Sequence, residues 1–189
     1  MATMASLVGD LLSDDEARAE AAVLALARLG EPGLDALLPL LESPEDDARW
    51  WAVRGAAAIP GPRSATALIA ALQDRAPGVR QAAALGLRLQ PSNEAVSALV
   101  HLLADADRLT ARLASDALAA VGEAALPELR RAASADASRT NAVRAMALMK
   151  KPAAIPDLFT ALDDPSPLVR HWAERGLEDL GVGMVFFSP

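Results

Sequence analysis

The sequence predicts an all-α fold, an α-solenoid of about six antiparallel helical hairpins, and three observations carry the prediction. Arg18, Arg49, Arg80, Arg112, Arg139 and Arg170 recur along the 189 residues at intervals of 31, 31, 32, 27 and 31. Each sits in an alanine-rich frame with helical spacing. Each frame follows an apolar stretch and a short break rich in Asp, Ser or Pro. A period near 31 residues means one supersecondary unit repeated, and such a unit buries its apolar face only by stacking on its neighbours.

Taken in order, the first helices of the hairpins are expected at Leu7 to Leu12, Pro32 to Leu41, Arg63 to Leu72, Asn93 to Leu103, Ala124 to Ala133 and Ala153 to Leu162. Leu34, Leu37, Leu38 and Leu41 follow i, i+3, i+4, i+7 and make one apolar stripe; Ala95, Leu99 and Leu102 repeat it. Pro32, Pro62 and Pro152 stand near helix starts, where a missing amide proton costs little. The second helices carry the repeated frame. Val79 to Leu87 and Val169 to Leu177 align without a gap as V-R-x-x-A-x-x-G-L. The third residue after the arginine is Ala21, Ala52, Ala83, Ala142 and Ala173, with Ser115 as the one departure. The hairpins therefore span about 1–30, 31–61, 62–91, 92–122, 123–151 and 152–180 of a single domain, followed by an apolar tail at 181–189.

The pattern L-x-x-L-L, then Asp and often Pro in the turn, then V-R-x-x-A-x-x-x-L, resembles the HEAT repeat. The short period is similar to the bacterial, phycobilisome-lyase-like form of that repeat. The resemblance runs from about Ala5 to Leu180 and implies a ladder of turn aspartates and second-helix arginines between neighbouring repeats. Carried over by position, Asp74 with Arg80 and Asp164 with Arg170 have a six-residue spacing, and Asp105 with Arg112 is displaced by one. Ser43 and Ala133 stand where the second and fifth aspartates would be, so the ladder should break there. The shortened fifth unit points to a change of superhelical curvature around residues 122 to 140. Tetratricopeptide and ankyrin patterns fit less well, since the chain has no tyrosine and no T-P-L-H signature.

Composition narrows the function. There is no cysteine, which excludes disulfides and thiolate metal sites. The start lacks a basic and apolar leader, and no stretch approaches about 20 apolar residues, so a soluble, cytoplasmic chain away from membranes is expected. The net charge is −7, and residues 1 to 48 hold eleven acids against Arg18 and Arg28. That segment carries −9 and the remainder +2. A polar cap on the first repeat explains it, and an acidic dock for a basic partner is the functional alternative. The acidic balance argues against unaided nucleic-acid binding.

Candidate binding residues are sought on the concave face that second helices line, one, two and five places after each arginine. These are Trp50, Trp51 and Arg54 in the second unit, Thr140, Asn141 and Arg144 in the fifth, and His171, Trp172 and Arg175 in the sixth. The third and fourth units give Gln81, Ala82, Leu85 and Leu113, Ala114, Ala117, so the middle is plain. All three tryptophans fall at these positions, with Trp51-x-x-Arg54 and Trp172-x-x-Arg175 in register. Tryptophan and arginine are favoured binding anchors. Equally, the tryptophans cover small alanines of adjacent helices and the arginines form solvated rims.

No catalytic or metal set stands out. His101 and His171 lack acidic or cysteine partners at ligand spacing, and Asp14-Asp15, Asp46-Asp47 and Asp163-Asp164 sit where helix starts favour acids. There is no phosphate-binding glycine loop, no G-x-S-x-G elbow and no H-E pair of the kind that the di-iron HEAT hydroxylases use. The expectation is a non-enzymatic interaction scaffold without cofactor, taking a protein or peptide on its concave face. The alternatives implied by resemblance are a chromophore-lyase-type subunit that binds a tetrapyrrole, and a DNA-binding protein of the HEAT-like glycosylase type. The apolar tail, with Met184, Val185, Phe186 and Phe187, is expected either to cap the last hairpin or to dock on another chain. A first check is internal: Ala83→Leu should overpack the helix stack and cost about 1 to 3 kcal/mol, read as a lowered thermal melt.

Overall fold

The structure, a computed structural model, describes residues 3–182. Its α-helices pair into antiparallel hairpins. In the first compact unit, Met1–Gln90, these are α1 (Met4–Leu11) with α2 (Glu16–Leu29), α3 (Glu31–Leu37) with α4 (Asp46–Ala57), and α5 (Pro62–Ala71) with α6 (Pro77–Leu89). In the second, Pro91–Pro189, they are α7 (Val96–His101) with α8 (Arg108–Val121), α9 (Leu126–Ala133) with α10 (Asp136–Leu148), and α11 (Ile155–Ala161) with α12 (Pro167–Asp179). The expectation for Met184 to Phe187 lies outside the described residues.

Local chemistry sets the boundaries. Asp15 caps α2 by accepting from the amides of Ala17 and Arg18 at 3.0 and 3.1 Å, and Asp107 caps α8 through Thr110 at 2.7 Å. Pro32, Pro62, Pro127 and Pro156 lie in the first turns of α3, α5, α9 and α11. Gly30 and Gly122, at φ 62° and 78°, end α2 and α8 in backbone that residues with a side chain rarely adopt. The leucine stripe of α3 is half realised. Leu34 and Leu37 are buried, but the chain then tightens into a 3-10 turn at Leu38–Glu42 around Pro39, which leaves Leu38 and Leu41 partly exposed.

Each unit has its own core. Leu11, Leu26, Leu34, Leu37, Leu68, Leu72 and Leu87 are fully buried in the first; Leu99, Leu103, Leu118, Leu129, Leu158 and Met146 are enclosed in the second. Second helices pack on one another, α2 on α4 and α4 on α6, then α8 on α10 and α10 on α12. Their contact line is built from small residues. A Cβ added at Gly86 would lie 2.8 Å from the Cβ of Ala57, and one at Gly176 would lie 2.8 Å from that of Ala147. The glycine of the V-R-x-x-A-x-x-G-L frame is thus a requirement of close helix approach.

Burial corrects the register in two hairpins. Residues one before, three, four and seven after Arg49, Arg80 and Arg139 are buried, and the same holds around Arg170 apart from the exposed Glu174. In the fourth hairpin that set is Thr110, Ala114, Ser115 and Leu118, which makes Ala111 the equivalent of the arginine and leaves Arg112 exposed. In the first, Ala22, Val23 and Leu26 align on Ala19, while Arg18 is exposed and pairs with Asp10. The expected small residues Ala21 and Ser115 are therefore replaced by Ala22 and Ala114. With these shifts the third position is alanine in every hairpin: Ala22, Ala52, Ala83, Ala114, Ala142 and Ala173, none more than 2% exposed. The arginines at 18 and 112 are neighbours of the structural position, not its occupants.

The ladder also differs from expectation in its direction. Arg80 and Arg170 donate to the backbone oxygens of Asp74 and Asp164, at 2.9 and 2.7 Å, and so fasten the turn of their own hairpin. The carboxylates face the preceding hairpin instead. Asp74 accepts from Arg49 Nε and Nη2 at 2.7 and 2.9 Å, and Asp164 Oδ2 lies 3.7 Å from Arg139 Nε. Each aspartate also holds its own turn through an amide two residues on, at Ala76, Asp107 and Ser166, all at 2.8 Å. Ser43 and Ala133 do interrupt the row, and the arginine facing each of them is missing too: Ala19 precedes Ser43, and Ala111 precedes Ala133. Acid and base are absent together, as expected where either alone would be a buried charge without a partner.

Arg49 and Asp74 side chains are 6% and 11% exposed. Arg49→Ala should cost about 3 kcal/mol in urea unfolding, because Asp74 then stays mostly buried without its partner. The double variant Arg49→Ala/Asp74→Ser recreates the Ala19 and Ser43 combination and should be less destabilised than the sum of its singles by about 1 to 2 kcal/mol. Hydrogen bonding to Arg49 holds the Asp74 carboxyl below its usual 3.8. Its contribution is therefore complete above the unfolded-state value and is lost as pH falls through the lower native one. The stability gap between wild type and Asp74→Asn should be constant above about pH 5 and shrink below about pH 4.

Candidate functional site

In the corrected register, the face one, two and five places after the reference position carries Glu20, Ala21 and Leu24 on α2, then Trp50, Trp51 and Arg54 on α4, then Gln81, Ala82 and Leu85 on α6. In the second unit it carries Arg112, Leu113 and Asp116 on α8, Thr140, Asn141 and Arg144 on α10, and His171, Trp172 and Arg175 on α12. Ala114 and Ala117 are buried core, so the fourth hairpin is charged on this face where a plain surface was expected. Sequence reasoning missed Glu20, Leu24, Arg112 and Asp116, because the repeated arginine set the register one residue out in those two hairpins.

The arginines of this face have structural work of their own. Arg54 donates from Nε and Nη2 to Glu20 at 3.1 and 2.8 Å, joining the second hairpin to the first. Arg144 donates to Asp116 at 2.7 Å and to the backbone oxygen of Arg112 at 3.1 Å, joining the fifth to the fourth. Those are the two junctions where the outer arginine and aspartate are missing. Ser115 Oγ adds a bond to the Asn141 oxygen at 2.9 Å, and Asn141 Nδ2 one to the Leu103 oxygen at 2.8 Å. An ion pair on this face thus replaces an ion pair on the opposite edge. Arg144 is only 6% exposed, so its guanidinium is part of the packed structure and not of the open surface.

The tryptophans are held rather than free. Trp50 and Trp51 meet edge to face, with ring centroids 4.7 Å apart at 83°. Trp50 rests against α6, where a Cβ at Gly78 would lie 3.8 Å from its Cδ1. The Arg144 guanidinium stands 5.2 Å from the centroid of the Trp172 ring. That contact supplies part of the solvation that its buried, unbonded Nε lacks. His171 meets Trp172 edge to face at 5.6 Å. All three indoles keep part of their surface open, and His171 and Arg175 are exposed. Among the described residues, no carboxylate reaches Arg175, and no three His, Cys, Asp or Glu stand together as metal ligands. Clefts of about 250 and 230 Å³ lie over the Arg139 to Asp164 and Arg49 to Asp74 contacts, and no tryptophan lines them. No described helix is long and apolar enough to cross a membrane.

Comparison with known proteins agrees with this architecture. The HEAT repeat family matches residues 5–88. The complex of CpcE and CpcF of phycocyanin lyase from Nostoc sp. is similar at a TM-score of 0.58 and 22% identity, over 96% of this chain and 78% of that one. An engineered protein aligns at a TM-score of 0.55 and 23% identity, over 97% of this chain and 98% of that one. A designed armadillo repeat protein in complex with the peptide (KR)4 aligns at 0.50 and 20%, over 94% and 99%. No curated protein sequence matches. The HEAT repeat model thus matches the first part of the chain, residues 5–88, and the likeness to solved structures shows an all-helical repeat fold along almost its whole length.

Proposed function

We propose that the protein is a non-enzymatic scaffold that binds a protein or peptide on the second-helix face, with Trp50 and Trp51 as anchors in the first unit and Trp172 with His171 and Arg175 in the second. The observation that carries the reading is the state of the three indoles. Each is fixed by a neighbouring ring, guanidinium or helix, yet each keeps an open surface. A rigid, half-open tryptophan loses little entropy on contact and so makes an efficient anchor. Arg54 and Arg144 take the supporting part, fixing the helices that present the rings. Arg175 and Arg112, exposed and without such a duty among the described residues, are cations of this face open to a partner.

The test is a pull-down from lysate of the source organism with wild type and Trp51→Ala/Trp172→Ala, after both give the same thermal melt. A protein held by wild type and lost from the variant supports the reading. Equal retention by both moves the contact to another surface. A chromophore-lyase role requires a tetrapyrrole to bind, read as a shift of its visible absorption, and a glycosylase-type role requires salt-dependent binding of duplex DNA. Either signal in the absence of a retained protein would replace the scaffold reading.

A further inference from the structure

The outer edge of the last hairpin suits a narrower cover than another hairpin. In the second unit, Val96, Val100 and Leu103, on and just after α7, form the stripe that faces the next hairpin, and Leu126, Arg130 and Ala133 of α9 repeat it. Asn141 bonds across to the Leu103 oxygen, and Arg130 across to Asp157. Val96, Leu103 and Leu126 are 7%, 0% and 4% exposed there. The same stripe in the sixth hairpin is Ile155, Phe159 and Leu162, all apolar and all half-buried. The second-helix side differs. Val143 and Ala147 of α10 are buried towards α12, where a Cβ at Gly176 would lie 2.8 Å from that of Ala147. The residues at those positions on α12 are Glu174 and Glu178, both exposed. Two carboxylates where small or apolar side chains are needed keep a further second helix from close approach, so the edge takes an apolar cover over α11 alone.

The chain itself supplies a segment of that kind. α12 ends at Gly181, φ 75°, whose amide donates to the Glu178 oxygen while that of Val182 donates to the Leu177 oxygen, both at 2.9 Å. This pair of bonds is the Schellman ending, which turns the chain back across the end of its helix. Gly30, Gly122 and Lys150, equally far from the reference position, also have positive φ, and the next first helix follows each of them, α3, α9 and α11. After Gly181 the sequence brings Met184, Val185, Phe186 and Phe187. From Val182 an extended chain carries Phe187 about 17 Å, and the stripe from Ile155 to Leu162 is about 10 Å long. From this juxtaposition we infer that residues 184–187 cover Ile155, Phe159 and Leu162 of the same molecule, in the place where a further first helix would lie. Burial on that stripe removes both apolar surfaces from water. Another hairpin, or the hairpin of a second copy, would have to set its second helix against Glu174 and Glu178. With its own chain seated there, this edge is closed to a partner, whichever partner the second-helix face takes.

The chain has no cysteine, so an introduced pair reports without competition. In the full chain, Leu162→Cys or Ile155→Cys is combined in turn with Val185→Cys, Phe186→Cys or Phe187→Cys, oxidised at low protein concentration, and read by mass and by non-reducing gel. At least one pair should close within a single chain. The same tail positions combined with Ala120→Cys, an exposed residue of α8, should stay reduced. Should Leu162→Cys or Ile155→Cys lower the melt of the reduced protein, the other carries the test. Phe186→Ser/Phe187→Ser should lower the thermal melt by about 2 to 4 °C. Disulfides that form only between two chains put a second copy on this edge and overturn the inference. Failure of every pair to close overturns it, and so does a double serine variant that melts as wild type does.

Discussion

Alanine at the third position of every second helix governs how this chain can be built. With a methyl group at Ala22, Ala52, Ala83, Ala114, Ala142 and Ala173, neighbouring helix backbones approach closely, and nothing larger than a glycine fits at Gly86 or Gly176 across the same contacts. Close approach leaves little lateral room. The large side chains that are fully buried come from first and second helices alike, as Leu34 with Leu26 and Leu129 with Met146 do. It also brings the start of each second helix near the turn of the next hairpin, close enough for an arginine to span the junction. The charged contacts are consequences of that distance rather than its cause.

Two ways of tying adjacent hairpins follow. At one kind of junction an arginine at the reference position reaches forward to a turn aspartate, as Arg49 does to Asp74 and Arg139 to Asp164. At the other kind both residues are replaced by small ones, and an arginine five places on reaches back to an acid, as Arg54 does to Glu20 and Arg144 to Asp116. Within each unit the exchange keeps a charged tie at every junction while moving it around the helix. It also brings charge onto the face where the tryptophans stand, and sets the Arg144 guanidinium against the Trp172 ring.

Most of this was legible from spacing. The helical hairpins and their turns follow from apolar periodicity and from the position of aspartate and proline, and the breaks at Ser43 and Ala133 from the resemblance to the HEAT repeat. The register of two hairpins did not, and the reason is local. Arg18 and Arg112 lie one residue from the reference position, so counting arginines shifts the face by about 100° of helix rotation in those hairpins. Alanine was the better marker, because its burial tolerates no substitute, whereas an arginine can leave if its acid leaves too. The tryptophans were found from sequence because position and residue type agreed. Glu20 and Asp116 were not, since a lone acid on a helix gives no sign of the arginine some 30 residues away that holds it.

The two kinds of junction mean that the hairpins are not interchangeable modules. A duplicated copy of the third hairpin placed after the fourth would set its Asp74 against Ala111, a carboxylate with no guanidinium to meet it. A copy of the second hairpin in that place would set Ser43 against Ala111, with its own Arg54 free to seek Asp116. Recombination within such a gene can therefore join only ends of matching type, and a lineage that lengthens or shortens this array inherits a grammar of permitted neighbours along with the repeats themselves.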